Sequence, residues 1–150
     1  MRSPVSVASS KSGAGPPSST ILPSVRKLGF PTVLELHELN AFVLVATNLL
    51  ASGWGASYLL RKRYPGRVYA HVLAAGQALL IAQVALGLLL LSDGRRAPDQ
   101  LHYLYGTLAL CAALAPWLYA PPVPARRLAW FVGATLFATA LSVRAYTTAS

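Results

Sequence analysis

The fold is decided by residues 71–113, which read HVLAAGQALLIAQVALGLLLLSDGRRAPDQLHYLYGTLALCAA: two apolar segments joined by a polar connector at residues 92–100. Each segment opens with a histidine. Small residues follow each histidine at offsets of 4, 7 and 11, which at about 100° per residue return to one face of a helix. They are Ala75, Ala78 and Ala82 after His71, and Gly106, Ala109 and Ala113 after His102. The pattern predicts two antiparallel helices, each with a small-residue face that a flat ligand or another helix can approach closely. These are the His71 face and the His102 face.

The composition extends this prediction to the rest of the chain. Of its 150 residues, 55% are hydrophobic and only 11% are charged, whereas charged residues make up roughly 25% of a soluble domain. Apolar segments lie at about residues 39–60, 68–91, 101–120 and 127–146, each close to the roughly 20 residues that a helix needs to cross a bilayer. The sequence therefore predicts an all-α membrane protein, an antiparallel bundle of four transmembrane helices within residues 31–150.

The first 30 residues have a different composition. They contain eight serines, several prolines and no acidic residue, too little apolar surface to order a backbone against its conformational entropy. We predict a disordered tail. The same basic, serine-rich composition is also typical of an organellar transit peptide, so cleavage of residues 1–30 stays open.

The net charge of +9 could suggest a nucleic-acid partner in a soluble protein. Here the basic residues lie almost wholly in the tail and connectors, where they meet lipid headgroups, so the expected partner is the bilayer and not nucleic acid. The single Cys111 cannot form an intrachain disulfide and is expected to be a small buried apolar side chain.

Few residues in the four segments can carry chemistry. No segment contains two carboxylates, and no metalloprotease, nucleophile-elbow, phosphate-loop or thiol-cluster motif is present. Hydrolytic and kinase chemistry are therefore not expected. Polar side chains within the spans should face the bundle interior, because they are costly in hydrocarbon. They are Asn40, Asn48, Gln77, Gln83 and Arg144.

Three histidines stand at the starts of spans. Antiparallel order places His37 and His102 at one membrane face and His71 at the other. In an up-down bundle the first and third helices are diagonal, so His37 and His102 can hold a planar macrocycle between them as axial ligands of haem iron. Gly106 on the His102 face would leave room for it, and Arg144 at the same end could pair with a propionate.

Each of these residues also has a simpler interpretation. The histidines can be interfacial residues at helix ends, with the small-residue faces serving only helix packing. Arg144 can form an ion pair with Glu35 or Glu38, which we expect first, or extend to the headgroups. The face of Gln83, Gly87 and Gly76 is expected to contact a neighbouring helix in preference to a quinone-like ligand.

The segment QVALGLLLLSDGRRAPDQLHYLYG, residues 83–106, resembles one half of haem A synthase and, more loosely, the small four-helix b-type cytochromes. The resemblance lies in Gln83-x3-Gly87, a short polar loop, and His102-x3-Gly106. It implies haem b ligation by His102, with His37 as a positional partner. The chain has one bundle where haem A synthase has two. The hairpin is also similar to small bacterial four-helix membrane proteins, a resemblance that implies no activity.

These observations lead to one expectation and one alternative. We expect a small integral membrane protein associated with a respiratory or photosynthetic electron-transfer system, holding one haem b, and not an enzyme that makes or breaks substrate bonds. The alternative is a cofactor-free accessory subunit whose small-residue faces bind the helices of other membrane-protein subunits. The expected location is the bacterial inner membrane, or an organellar membrane if the tail is a transit peptide.

Overall fold

A computed structural model describes residues 31–148. Within this range the chain forms four helices and no strand: α1 (Val33–Leu60), α2 (Arg67–Ser92), α3 (Leu101–Tyr119) and α4 (Pro124–Thr147). Each is long and apolar enough to cross a membrane. The prediction of an all-α membrane protein with four spanning helices is confirmed. The predicted disordered tail, residues 1–30, lies outside the described residues.

Local sequence signals explain where the helices begin and end. Thr32 and Glu35 form a capping box, in which the Glu35 N–H donates to Thr32 Oγ1 (3.3 Å) and the Thr32 N–H donates to Glu35 Oε2 (2.7 Å). This cap starts α1 at Val33, six residues before the predicted apolar span. Pro124 at the first position of α4 likewise starts that helix three residues before the predicted Arg127. The predicted spans were the apolar parts of longer helices.

The four helices pack in a ring that puts α1 and α3 on a diagonal. Helix α1 packs against α2 and α4, and α3 packs against α4, while α2 and α3 contact each other sparsely. Within residues 31–148, the backbones of α1 and α3 make no close approach, and neither do those of α2 and α4. Side chains from α1 and α3 can therefore meet across the bundle centre.

Two apolar clusters fill the interior. The first contains Leu44, Leu80, Ala109, Ala113 and Ala138, and the second contains Ala51, Tyr69, Leu73, Leu128 and Phe131. Glycines allow α1 and α2 to approach each other closely. A Cβ added at Gly76 would collide with the Asn48 side chain, and one added at Gly55 would collide with the hydroxyl of Tyr69 and with Val132. In lipid the hydrophobic effect does not bring helices together, and close packing of this kind stabilises their association instead.

The two small-residue faces have different surroundings. On the His102 face, Ala109 and Ala113 are buried. The His71 face points outward, because the buried residues of α2 are those two positions away, on the opposite side of the helix. His71, Ala75 and Ala78 are exposed. The His102 face therefore packs inside the bundle, whereas the His71 face lies on its outer surface.

The outer surface is apolar along all four helices. Exposed residues include Leu39, Leu88, Leu118 and Phe137, each of which is more than half exposed. An apolar surface of this extent indicates contact with a lipid bilayer and an integral membrane protein. Cys111 is exposed on α3, so the expectation that it is buried is wrong; its side of α3 is the outer one.

Candidate functional site

His37 and His102 come together in the bundle interior. His37 lies in the second turn of α1 and His102 in the first turn of α3. Their ring centroids are 6.2 Å apart, with the ring planes tilted by 55°. Both side chains are partly buried. The structure thus brings together, from diagonal helices, the two histidines that the sequence placed at one membrane face.

The ring of His102 is fixed by the end of α4. Its Nδ1 lies 2.9 Å from the carbonyl oxygen of Ala145 in the last turn of α4, which also accepts hydrogen bonds from the N–H (3.2 Å) and the hydroxyl (2.8 Å) of Thr148. A carbonyl can only accept, so Nδ1 donates, and in the neutral ring the lone pair lies on Nε2. A backbone bond of this kind orients a metal-ligating histidine. Tyr103 packs edge-on against the ring at 5.6 Å.

His37 belongs to a polar network between α1 and α2. Its Nε2 lies 3.1 Å from Gln83 Nε2. Asn40 Nδ2 donates to Gln83 Oε1 (2.6 Å) and to the carbonyl of Leu79 (3.0 Å). Nδ1 of His37 is buried without a hydrogen-bond partner. The prediction that the Gln83 face contacts a neighbouring helix is confirmed, and one of its partners is the candidate ligand itself.

Gly106 lies one turn after His102 and is partly buried. A Cβ added there would meet no atom within 4 Å, so the space beside it is open.

Arg144 is exposed in the last turn of α4, next to Ala145. Within residues 31–148 no hydrogen bond or ion pair joins it to another side chain, so the expected pair with Glu35 or Glu38 is not formed. Glu35 instead caps α1. Arg144 therefore lies at the same end of the bundle as the histidine pair without contacting it.

His71 stands apart from the pair. Its Nδ1 lies 2.7 Å from the carbonyl oxygen of Arg67 on the exposed side of α2, at the other end of the bundle.

Sequence reasoning missed how Asn40 and Gln83 support His37. Both are among the few polar residues that the sequence predicts to face the interior. Asn40 follows His37 by three residues on α1, so the two side chains share a face. Whether Gln83 lies at the same level in the membrane as His37 depends on how α1 and α2 are aligned along their axes. The spacing of residues within each helix does not determine this alignment.

The distance between the His37 and His102 rings is suitable for a metal ion bound between them. With metal–nitrogen distances of about 2.0 Å, two imidazoles on opposite sides of one ion have ring centres about 6 Å apart. Nε2 of His102 has a lone pair that is free to bind a metal, whereas Nε2 of His37 accepts a hydrogen bond from Gln83. Within residues 31–148 there is no cluster of three or more His, Cys, Asp or Glu side chains that could hold a bare metal ion. Axial haem ligation needs only two.

Comparisons with known proteins give no match. No protein-family model matches the chain, and neither the curated proteins nor the solved structures contain one that is significantly similar to it.

Proposed function

We propose that this integral membrane protein holds one haem b between His37 and His102 and serves a respiratory or photosynthetic electron-transfer system. The observation that carries the proposal is the 6.2 Å separation of the two rings across the bundle diagonal. The orientation of His102 by Ala145 supports it further, because Nε2 of His102 is left with its lone pair.

Each residue around the histidine pair has a proposed role. His37 and His102 would each hold the haem through one imidazole nitrogen, and Gly106 leaves open space beside His102. The apolar cluster that begins with Leu44 and Ala109 lies about two helical turns deeper in the bundle than the pair. Arg144, at the same end, is the proposed partner of a propionate. The haem would supply one-electron chemistry.

Absorbance spectroscopy tests the proposal. The full-length protein, expressed with ample haem and purified in detergent, should show a Soret band and the spectrum of a haem with two histidine ligands. His102→Ala should lose most of the bound haem, because one axial ligand is removed. His71→Ala is the matched control: this exposed histidine lies outside the site, so the band should be unchanged. A wild-type protein without a Soret band would rule out the haem.

A second candidate function is a cofactor-free accessory subunit. It is favoured by the His71 face, whose Ala75 and Ala78 are exposed on the outside of α2 although small residues at this spacing usually bring helices together. The Gln83 bond to His37 also suits a purely structural network. This candidate expects no Soret band, and it expects Ala78→Phe to release partner subunits that co-purify with the wild type in mild detergent.

The membrane in which the protein works is part of the proposal. We place it in the bacterial inner membrane, since the candidate resemblances are to bacterial and respiratory proteins, or in an organellar membrane if residues 1–30 are a transit peptide. Fractionation of cells that express the tagged full-length chain separates these cases.

A further inference from the structure

We propose that Gln83 is the positioning residue of the histidine pair: held by Asn40, it keeps Nε2 of His37 free of a proton, so that this nitrogen can bind iron once the Gln83 amide moves away. The inference rests on the proposed function for its ligand. The tautomer of His37 is the structural property that it predicts, and this tautomer can be measured in protein that contains no haem.

The direction of the hydrogen bonds is set by a backbone carbonyl. The carbonyl of Leu79 can only accept, so the Asn40 amide must turn its Nδ2 toward α2. The same Nδ2 donates to Gln83 Oε1 at 2.6 Å. Because Oε1 of Gln83 faces Asn40, its NH₂ group faces His37. The order of donors and acceptors cannot be reversed without breaking the bond to Leu79.

This order decides the tautomer of His37. The Nε2 atom of Gln83 can only donate a hydrogen bond, and it lies 3.1 Å from Nε2 of His37. Nε2 must therefore accept, and the neutral ring carries its proton on Nδ1, where the N–H is buried without an acceptor. His102 reaches the same state by another route, because its Nδ1 donates to the Ala145 carbonyl. Both rings thus carry a lone pair on Nε2, as ligation of one iron from two sides requires.

Gln83 occupies the His37 lone pair only while no metal does. The hydrogen bond from the Gln83 amide orients the ring and keeps a proton off Nε2, and this hydrogen bond would have to break before Nε2 could hold iron. Asn40 keeps the amide in the donating direction. Neither residue is a ligand; both act through His37.

Nitrogen NMR of the haem-free protein tests this role. The full-length chain, labelled with ¹⁵N-histidine and purified in detergent micelles without haem, should show His37 with Nδ1 protonated and Nε2 unprotonated; His37→Gln identifies its signals. Gln83→Glu replaces the donor by an acceptor of the same shape, so the His37 proton should move to Nε2. Gln83→Leu removes the donor without adding a charge and should increase the Nε2-protonated form.

Gln77→Glu is the matched control. It makes the same change on the same helix, at a side chain that bonds to α3 and not to His37, so the His37 signals should stay as in the wild type. A wild-type His37 with its proton on Nε2, or a Gln83→Leu spectrum identical to the wild type, would overturn the positioning role.

Haem titration of the same proteins, followed by absorbance, separates this inference from the proposal on which it rests. Gln83→Glu should weaken haem binding, because its carboxylate accepts a hydrogen bond from Nε2 of His37 and so stabilises the tautomer whose Nε2 has no lone pair for iron. Unchanged affinity in this variant would overturn the role of Gln83 in preparing the site. If the wild type has the expected tautomer but binds no haem, the haem proposal fails and the tautomer assignment holds.

Discussion

At the scale of single residues, close approach at two glycines sets how α1 and α2 pack. Gly55 lies against Tyr69, which is 3% exposed and enclosed by the rings of Trp54 and Tyr58 at 6.1 and 5.9 Å. A buried aromatic side chain held between other rings cannot move aside at low cost. Glycine at position 55 is therefore required by its neighbours, although glycine lowers the intrinsic stability of a helix.

We predict opposite effects for two alanine substitutions on α1. Gly55→Ala should lower the free energy of unfolding by about 1–3 kcal/mol, because its Cβ overlaps Tyr69 and Val132. Gly53→Ala, two residues earlier, meets no atom within 4 Å and should be neutral or add up to about 1 kcal/mol through helix propensity. Unfolding in mixed detergent micelles measures both. Equal effects of the two substitutions would contradict the close α1–α2 contact.

At the scale of helices, polar side chains join the pair that packs least. Helices α2 and α3 contact each other sparsely, and Gln77 links them by two bonds. Its Nε2 donates to the Ala113 carbonyl (3.1 Å), and its Oε1 accepts from Trp117 Nε1 (3.0 Å). Hydrogen bonds between helices are worth about 0.6 kcal/mol on average inside membranes. Gln77 therefore stabilises an interface that has little other packing.

A double-mutant cycle checks the bond between Gln77 and Trp117. Gln77→Leu and Trp117→Phe each remove one partner, and we expect each to destabilise the bundle by about 0.5–1.5 kcal/mol. The double variant should be less destabilised than the sum by about 0.6 kcal/mol, the coupling of the lost bond. Additive losses would show that the two side chains do not interact. Trp130→Phe, an exposed tryptophan on α4, controls for the loss of an indole at the surface.

At the scale of the whole molecule, four spanning helices place successive connectors on opposite sides of the membrane. The first connector follows Leu60 and the second follows Ser92. Cys111 is the only cysteine of the chain and lies on the outer face of α3, within the span that begins at Leu101. A thiol at this depth faces lipid, so a charged reagent in water should not reach it.

Labelling of single cysteines tests this arrangement. In a Cys111→Ala background, Arg63→Cys and Asp93→Cys should react with a membrane-impermeant maleimide from opposite sides of sealed vesicles. The wild-type Cys111 should react slowly from either side until detergent is added. Labelling of positions 63 and 93 from the same side would contradict a crossing by α2.

Much of the fold could be predicted from the sequence because its causes are local. The number of spans follows from the length of each apolar run, and the ends follow from prolines, glycine and polar connectors. The shared end of His37 and His102 follows from counting crossings. Helix starts were misplaced where a polar first turn, such as Thr32 to Glu38, precedes the apolar run; the capping box that starts α1 there is a signal the sequence does contain.

The sequence by itself determined a four-helix membrane bundle with two histidines at one end, since hydrocarbon leaves a spanning segment no other way to satisfy its backbone. Only the tertiary structure decided which side of each helix faces inward. The His71 and His102 faces have the same spacing, yet one faces out and the other in, because rotation of a helix about its axis is set by its neighbours. The hydrogen bonds between Gln83 and His37 and between His102 and Ala145 also depend on how neighbouring helices are positioned against each other. The sequence of one helix alone does not determine this arrangement.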